Sequence, residues 1–127
     1  MKQVQAQSPL PSGMQPYTTM ADTLFSDIAE RTRDVAGVSR PAYSAIETET
    51  LDYLIAFATA QGLIARWDAG RNVVFSLPQD TDAEAAVLVG SHVDSVPQGG
   101  NFDGLAGVVA GRGASDHRHG VRRDGCA

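Results

Sequence analysis

The sequence predicts an α/β fold in which helices flank a mixed sheet that is incomplete. Two segments, 19–35 and 44–62, carry apolar residues at helical spacing. They are followed by short strand-like runs, and the continuous apolar run at 85–90 predicts a strand buried on both faces of a sheet. A chain of 127 residues allows one domain, and this buried strand lacks the later strands that would flank it.

The first predicted helix spans residues 19–35. Side chains recur there at helical spacing, at Leu24, Ile28, Arg31 and Val35, and Gly37 offers a C-terminal stop. Before this helix, residues 1–17 are rich in Gln, Pro and Ser and show no periodicity, which predicts a flexible arm. After it, residues 37–44 form a loop.

The second predicted helix begins at Ser44. Ser44 and Glu47 form the S-x-x-E pattern of a capping box, and the helix ends near Gly62. Its apolar positions include Tyr53 and Phe57, which we interpret as core residues.

Shorter elements follow. Turn chemistry at 68–72 separates two strand-like runs, and the second run ends at Pro78. A polar loop at 79–85 leads to the predicted buried strand, and a further helix begins after Gly104. The strand-like runs before the loop are 63–69 and 72–77.

Composition excludes several classes of protein. The chain has 10 Lys+Arg and 15 Asp+Glu, a formal net charge of −5, so nucleic acid is not an expected partner. No apolar run approaches the ~20 residues of a membrane span, and the N-terminus lacks the apolar region of a secretory signal. Cys126 is the one cysteine, so no internal disulfide can form. We therefore expect a cytoplasmic protein that does not bind membranes.

Residues 90–104 hold the side chains that suit chemistry. His92 and Asp94 follow the predicted strand, and their H-x-D spacing suits a metal-binding histidine oriented by a carboxylate. Asp103 lies in a glycine-rich loop, and a carboxylate can bridge two divalent ions. The same residues also fit a hydrogen-bonded surface pair and a simple Asp-Gly turn. From the spacing, both interpretations stay open.

Three separate stretches resemble one protein family. GSHVDSVPQGGNFDGLAGVVAG at 90–111 resembles the metal-binding signature of the M20 zinc amidohydrolases. It is most similar to the branch of carbamoylases, allantoate amidohydrolases and β-ureidopropionases. GVSRPAYS at 37–44 is similar to a loop of that branch. The turn at 68–72 resembles its D-x-x-G-N, with the order here Gly70-Arg71-Asn72. The resemblance covers about residues 20–111.

The resemblance implies roles for three residues. His92 is similar to a zinc ligand, Asp103 to the carboxylate that bridges two metals, and Asp94 to the catalytic-site carboxylate that fixes the histidine tautomer. The cofactors implied are two divalent ions, zinc with manganese or cobalt as alternatives. In the intact family a metal-bound water attacks an amide or ureido carbonyl, with a glutamate as base. The partners implied are a small substrate (an N-carbamoyl amino acid, a ureido acid or allantoate) and a second subunit in a homodimer.

The chain also departs from the family pattern. No glutamate follows Glu84, so the Glu pair that the family places after the bridging aspartate is missing. The match supplies two metal ligands, whereas a catalytic zinc needs about three plus water. We therefore expect this chain to be inactive by itself. The alternatives are a fragment of an M20 aminoacylase or dipeptidase, a truncated product without enzymatic function, and a small metal-binding module.

The C-terminal stretch differs in composition from the rest. Residues 112–127 hold four Arg and two Asp, whereas residues 1–111 hold six Lys+Arg and thirteen Asp+Glu. We interpret 18–111 as a partial catalytic domain and 112–127 as an unrelated tail, either out-of-frame or disordered. In the metal-binding-module alternative, His117 and His119 of that tail would join His92 and Asp103.

Overall fold

The structure, a computed structural model, describes residues 15–120, with side chains described over 16–113. Over these residues the chain forms three helices and one small two-stranded sheet. The helices are α1 (Gln15–Arg31), α2 (Ala45–Ala60) and α3 (Leu105–Gly120). The strands are β1 (Ile64–Trp67) and β2 (Val73–Ser76), and a 3₁₀ turn (Pro78–Asp80) follows them. The described chain is thus a mixed helical and two-stranded arrangement, consistent with an incomplete α/β domain.

Helix α1 ends four residues before the predicted position. It stops at Arg31, and the Thr32 hydroxyl donates to the Ile28 carbonyl at 2.8 Å. Asp34 then organises a turn, because its side chain accepts from the Val35 amide while its own amide donates to the Gly37 carbonyl. Side chains such as Asp compete with a helix through such local hydrogen bonds. The prediction that Val35 lies on the helix was therefore wrong, and Val35 is 94% exposed.

The predicted capping box at the start of α2 is confirmed. The Ser44 hydroxyl accepts from the Glu47 amide at 3.2 Å, which satisfies one free N–H of the first turn. The Glu47 carboxylate accepts in return from the Tyr43 amide, one residue before the cap. The helix ends at Ala60, and Gly62 adopts a φ of 86°, as expected for a glycine after a helix.

The two strands form a hairpin across the predicted turn. β1 pairs with β2 in antiparallel register, from Ile64 opposite Ser76 to Trp67 opposite Val73. Asp68 closes the turn, since its carboxylate accepts from the Asn72 amide at 2.8 Å and from the Asn72 side chain at 2.9 Å. These hydrogen bonds favour the charged carboxylate and lower the pKa of Asp68.

The predicted buried strand at 85–90 was wrong. This segment forms no strand, and Leu88, at its centre, is 82% exposed. A strand buried on both faces needs neighbouring strands, and β1 and β2 are paired with each other in a two-stranded antiparallel sheet. Within residues 15–120 no third strand is present to pair with the segment. The predicted mixed sheet is therefore not formed by the described residues.

The core lies where the three helices meet. Its buried residues come from α1, α2 and α3 together with Val93, and they are Leu24, Ile28, Leu54, Val93, Leu105 and Val109. Tyr53 and Phe57 pack against this cluster, as the sequence predicts. The helix predicted after Gly104 is confirmed, and its backbone continues to Gly120. Over the described residues, no helix combines the length and apolar character of a membrane span.

Tyr53 links α2 to α1, and its hydroxyl should lose its proton at a higher pH than an ordinary tyrosine. Its hydroxyl donates to the Asp27 carboxylate at 2.6 Å. Burial, followed by that hydrogen bond, raises the pKa of Tyr53 to about 12. Because the pKa of Tyr53 in the folded protein lies above the ordinary tyrosine value of 10.0, this contribution to stability is fully present below pH 10.0 and is lost as the pH rises through about 12.

We expect an ultraviolet pH titration of the tyrosines to show one late step that disappears in Tyr53→Phe. The matched control is Tyr43→Phe, because Tyr43 is almost fully exposed. That control should retain the late step. If the late step survives in Tyr53→Phe, the hydrogen bond to Asp27 does not hold the proton.

Candidate metal centre

His92 and Asp94 form a hydrogen-bonded pair. The His92 Nδ1 atom lies 3.0 Å from the Asp94 Oδ1 atom and 3.1 Å from the Asp94 carbonyl oxygen. Both partners at Nδ1 are acceptors, so the pair favours the tautomer that carries its proton on Nδ1. The lone pair of Nε2 is then available, and the His92 side chain is about half exposed. This is the arrangement that H-x-D spacing predicts.

Gly104 brings the Asp103 loop against His92. Gly104 has a φ of 65°, and a Cβ atom at this position would overlap the Cε1, Nδ1 and carbonyl oxygen atoms of His92. Only glycine tolerates both the left-handed conformation and this close approach. Because Gly104 directly follows Asp103 and precedes α3, the contact sets the exposed Asp103 carboxylate in the neighbourhood of His92.

Arg40 is the residue that the sequence analysis missed. It is fully buried, and its Nε atom donates to the Val93 carbonyl at 2.6 Å. Its NH1 atom donates to the Thr32 hydroxyl and to the Asn101 side chain, and its NH2 atom donates to the Asn101 carbonyl. The Arg40 backbone exchanges two more hydrogen bonds with Ser95. Arg40 therefore joins the end of α1 to the segments that carry Asp94 and Asp103.

The charge of Arg40 acts on both carboxylates. Burial lowers the pKa of Arg40, and the negative charges of Asp103 and Asp94 oppose that effect. Arginine stays protonated even after such a shift, so the two carboxylates interact with a fixed, buried positive charge. The sequence offered one indication of Arg40, because it lies in the loop 37–44 that resembles the family. In the structure this loop contacts Val93 and Ser95, on either side of Asp94.

A second contact fixes the same loop. The Val38 and Gly99 backbones exchange hydrogen bonds of 3.0 and 2.8 Å, and a Cβ atom on Gly37 would overlap the Gly99 carbonyl oxygen. The Ser39 hydroxyl also accepts from the Gln98 amide at 2.8 Å. Two stretches that resemble the family, far apart in sequence, therefore lie side by side.

The donors fit part of a divalent metal site. The Nε2 atom of His92 and the carboxylate of Asp103 are donors that zinc and similar ions accept, and Asp94 occupies the other ring nitrogen. The described residues contain no group of three or more His, Cys, Asp or Glu that could hold a metal. The side chains of His117 and His119, as well as Cys126, lie outside the described residues.

Comparisons with known proteins identify what this chain resembles. It is 41% identical over 93 residues to an N-carbamoyl-L-amino-acid amidohydrolase of Paenarthrobacter aurescens, a match covering 70% of this chain and 22% of the relative. It is 39% identical over 75 residues to an N-carbamoyl-L-amino acid amidohydrolase of Geobacillus stearothermophilus, covering 59% of this chain and 18% of the relative. It is 36% identical over 74 residues to the allantoate amidohydrolase of Escherichia coli, a match covering 58% of this chain and 18% of the relative.

These matches confirm the resemblance to carbamoylases and allantoate amidohydrolases, hydrolases of amide and ureido C–N bonds. The chain spans about a fifth of the length of the curated relatives it matches. No protein-family profile matches the chain, and no solved structure matches it.

Proposed function

We propose that this chain carries part of the metal centre of a hydrolase that cleaves linear amide or ureido C–N bonds. The substrates would be N-carbamoyl amino acids, ureido acids or allantoate. The described fold would be the N-terminal part of an M20-type catalytic domain, working in the cytoplasm. The observation that supports the proposal most directly is the close approach of the Gly104 backbone, next to Asp103 in the chain, to the His92 side chain.

Each residue has one task in this proposal. His92 would bind a divalent ion through Nε2, and Asp103 would share its carboxylate between two ions. Asp94 would hold the proton on Nδ1 of His92, which keeps Nε2 free to bind. A divalent ion held there supplies Lewis-acid polarisation of the substrate carbonyl and an acidified water.

Arg40 and the glycine-rich turn act on the protein side of the site. Arg40 would contribute a buried positive charge that interacts with both Asp94 and Asp103. The backbone of Gly104 packs directly against His92, with no room for a side chain between them. The described residues supply two ligands where a catalytic zinc needs about three. The 127-residue chain alone should therefore bind metal weakly and hydrolyse nothing.

We expect titration of the full chain with zinc or cobalt to show weak binding that His92→Ala and Asp103→Asn each abolish. The matched control is His117→Ala, which removes a tail histidine and should leave binding unchanged. Loss of binding in His117→Ala would instead indicate a small metal-binding module that includes the tail. If His92→Ala and Asp103→Asn both bind as the unmodified chain does, the proposed centre is wrong.

When the 127-residue chain is supplied with zinc or manganese, ammonia release from an N-carbamoyl amino acid and from allantoate should stay at the background rate. Turnover that is lost in His92→Ala would overturn the expectation of inactivity and would strengthen the assignment of the site. Turnover of an N-acyl amino acid or a dipeptide would favour an aminoacylase or dipeptidase.

A further inference from the structure

The hydroxyl of Ser39 lies between two partners that fix the direction of both of its hydrogen bonds. One partner is the Asp34 carboxylate, which only accepts when it is ionised, and the other is the Gln98 amide, which only donates. The Ser39 proton is therefore committed to Asp34, and a lone pair of the Ser39 oxygen accepts from Gln98 at 2.8 Å. A hydroxyl bonded to a carboxylate is polarised, which strengthens the hydrogen bond that it accepts.

Asp34 is held in place and in its charged form by the turn after α1. Its Oδ1 atom accepts from the Val35 amide at 2.7 Å, and its own amide donates to the Gly37 carbonyl at 3.0 Å. The hydrogen bond from Ser39, followed by that from Val35, lowers the pKa of Asp34 below its ordinary value. At neutral pH, Asp34 therefore presents a carboxylate to Ser39.

Gln98 adopts a backbone conformation that side chains other than glycine rarely take. Its φ is 51°, and it is the third residue of a β-turn that the Gly99 amide closes on the Val96 carbonyl at 3.2 Å. With Pro97 in second place, this is the pattern of a type II turn, whose third position requires a positive φ and favours glycine. The left-handed conformation is unfavourable for glutamine, so the hydrogen bond to Ser39 stabilises a strained residue.

This turn lies in the loop that joins Asp94 to Asp103. The backbone direction at Gln98 sets the course of the glycine-rich residues that follow and lead to Asp103. A return of Gln98 to a negative φ would redirect that stretch, and the Asp103 carboxylate would move with it. The conformation of one strained residue is therefore coupled to the separation of the metal-ligand candidates.

We propose that Asp34 and Ser39 are positioning residues for the metal centre. Asp34 orients the Ser39 hydroxyl, and Ser39 holds Gln98 in its left-handed conformation, which sets the path of the loop to Asp103. Neither residue is a ligand candidate, and both act through Gln98. This inference rests on the proposed function, because it assigns these two residues to the same site.

Backbone amide hydrogen exchange of the full 127-residue chain tests the chain of hydrogen bonds without any metal. Ser39→Ala should raise the exchange rate of the Gln98 amide about tenfold or more, because its acceptor is removed. Asp34→Asn should raise the same rate, since a neutral amide no longer fixes the direction of the Ser39 hydroxyl. The matched control is Ser26→Ala, an exposed serine of α1, which should leave the rate unchanged. Circular dichroism confirms that each variant is folded, and Asp34→Asn decides the matter if Ser39→Ala unfolds.

A rescue experiment separates positioning from a merely structural role. Zinc affinity should fall about tenfold in Ser39→Ala and return to within about twofold of the unmodified chain in Ser39→Ala/Gln98→Gly, because glycine adopts a positive φ without strain. The matched control is Ser39→Ala/Gln98→Ala, which removes the same side chain but keeps a Cβ atom. That variant should bind zinc as weakly as Ser39→Ala.

The two readouts distinguish failure of this inference from failure of the proposed function. An unchanged exchange rate at Gln98 in Ser39→Ala, or equal zinc affinity in the glycine and alanine double variants, would overturn the positioning role alone. A chain that binds no zinc would overturn the proposed function and, with it, the assignment of Asp34 and Ser39 to a metal centre.

Discussion

Arg40→Met is expected to lower the free energy of unfolding by about 3 kcal/mol, because it removes a buried charge that satisfies several buried acceptors. The Val93 and Asn101 carbonyl oxygens would lose their donor, and the Asp94 and Asp103 carboxylates would lose a compensating cation. Urea unfolding followed by circular dichroism measures the change as a shift of the midpoint.

Arg33→Met is the matched control. Arg33 makes an ion pair with Glu30 at the surface, where both side chains are mostly exposed. Such surface pairs contribute little, so the control should change stability by about 0.5 kcal/mol or less. The loss of stability in Arg40→Lys should fall between those of Arg40→Met and Arg33→Met. Lysine keeps the positive charge, but its single ammonium group cannot replace the separate guanidinium donors to Val93 and Asn101. Equal midpoints for Arg40→Met and Arg33→Met would show that the buried arginine does not organise the site.

Gly104→Ala is expected to have the second large effect, on both stability and metal binding. The left-handed φ of 65° and the overlap with His92 should together cost about 2–4 kcal/mol. Because the added methyl would push His92 away from the Asp103 loop, zinc affinity should fall on the order of tenfold or more.

The matched control for Gly104→Ala is Gly100→Ala, in the same glycine-rich loop. A Cβ atom at Gly100 meets no atom within 4 Å, and its φ is not positive. The control should keep both stability and zinc affinity. If Gly104→Ala behaves like Gly100→Ala, the close approach to His92 does not place the ligands.

Local patterns predicted the local structure well. The S-x-x-E signature at Ser44 and the Asp68–Asn72 turn each depend on hydrogen bonds within a few residues, and both are confirmed. The end of α1 was misplaced because helical periodicity at Val35 does not register the competing turn at Asp34. Local chemistry thus sufficed wherever the stabilising contacts are local.

Long-range features could not be read in the same way. Strand formation at 85–90 depends on a neighbouring strand, and an apolar composition does not say whether one exists. Arg40 looked like an ordinary loop residue, because its partners at Val93 and Asn101 lie more than fifty positions away. His92, Asp94 and Asp103 were found because their types and spacing carry chemistry, although their roles in metal binding stay a proposal.

The central claim is that His92 offers Nε2 to a divalent ion while Asp94 holds Nδ1. Nitrogen-15 NMR of the His92 imidazole, before and after addition of zinc to the full chain, tests it most directly. We predict a protonated Nδ1 in both states and a zinc-dependent shift of the Nε2 resonance, lost in Asp103→Asn. A His92 spectrum that zinc leaves unchanged, or a shift confined to Nδ1, would contradict the account.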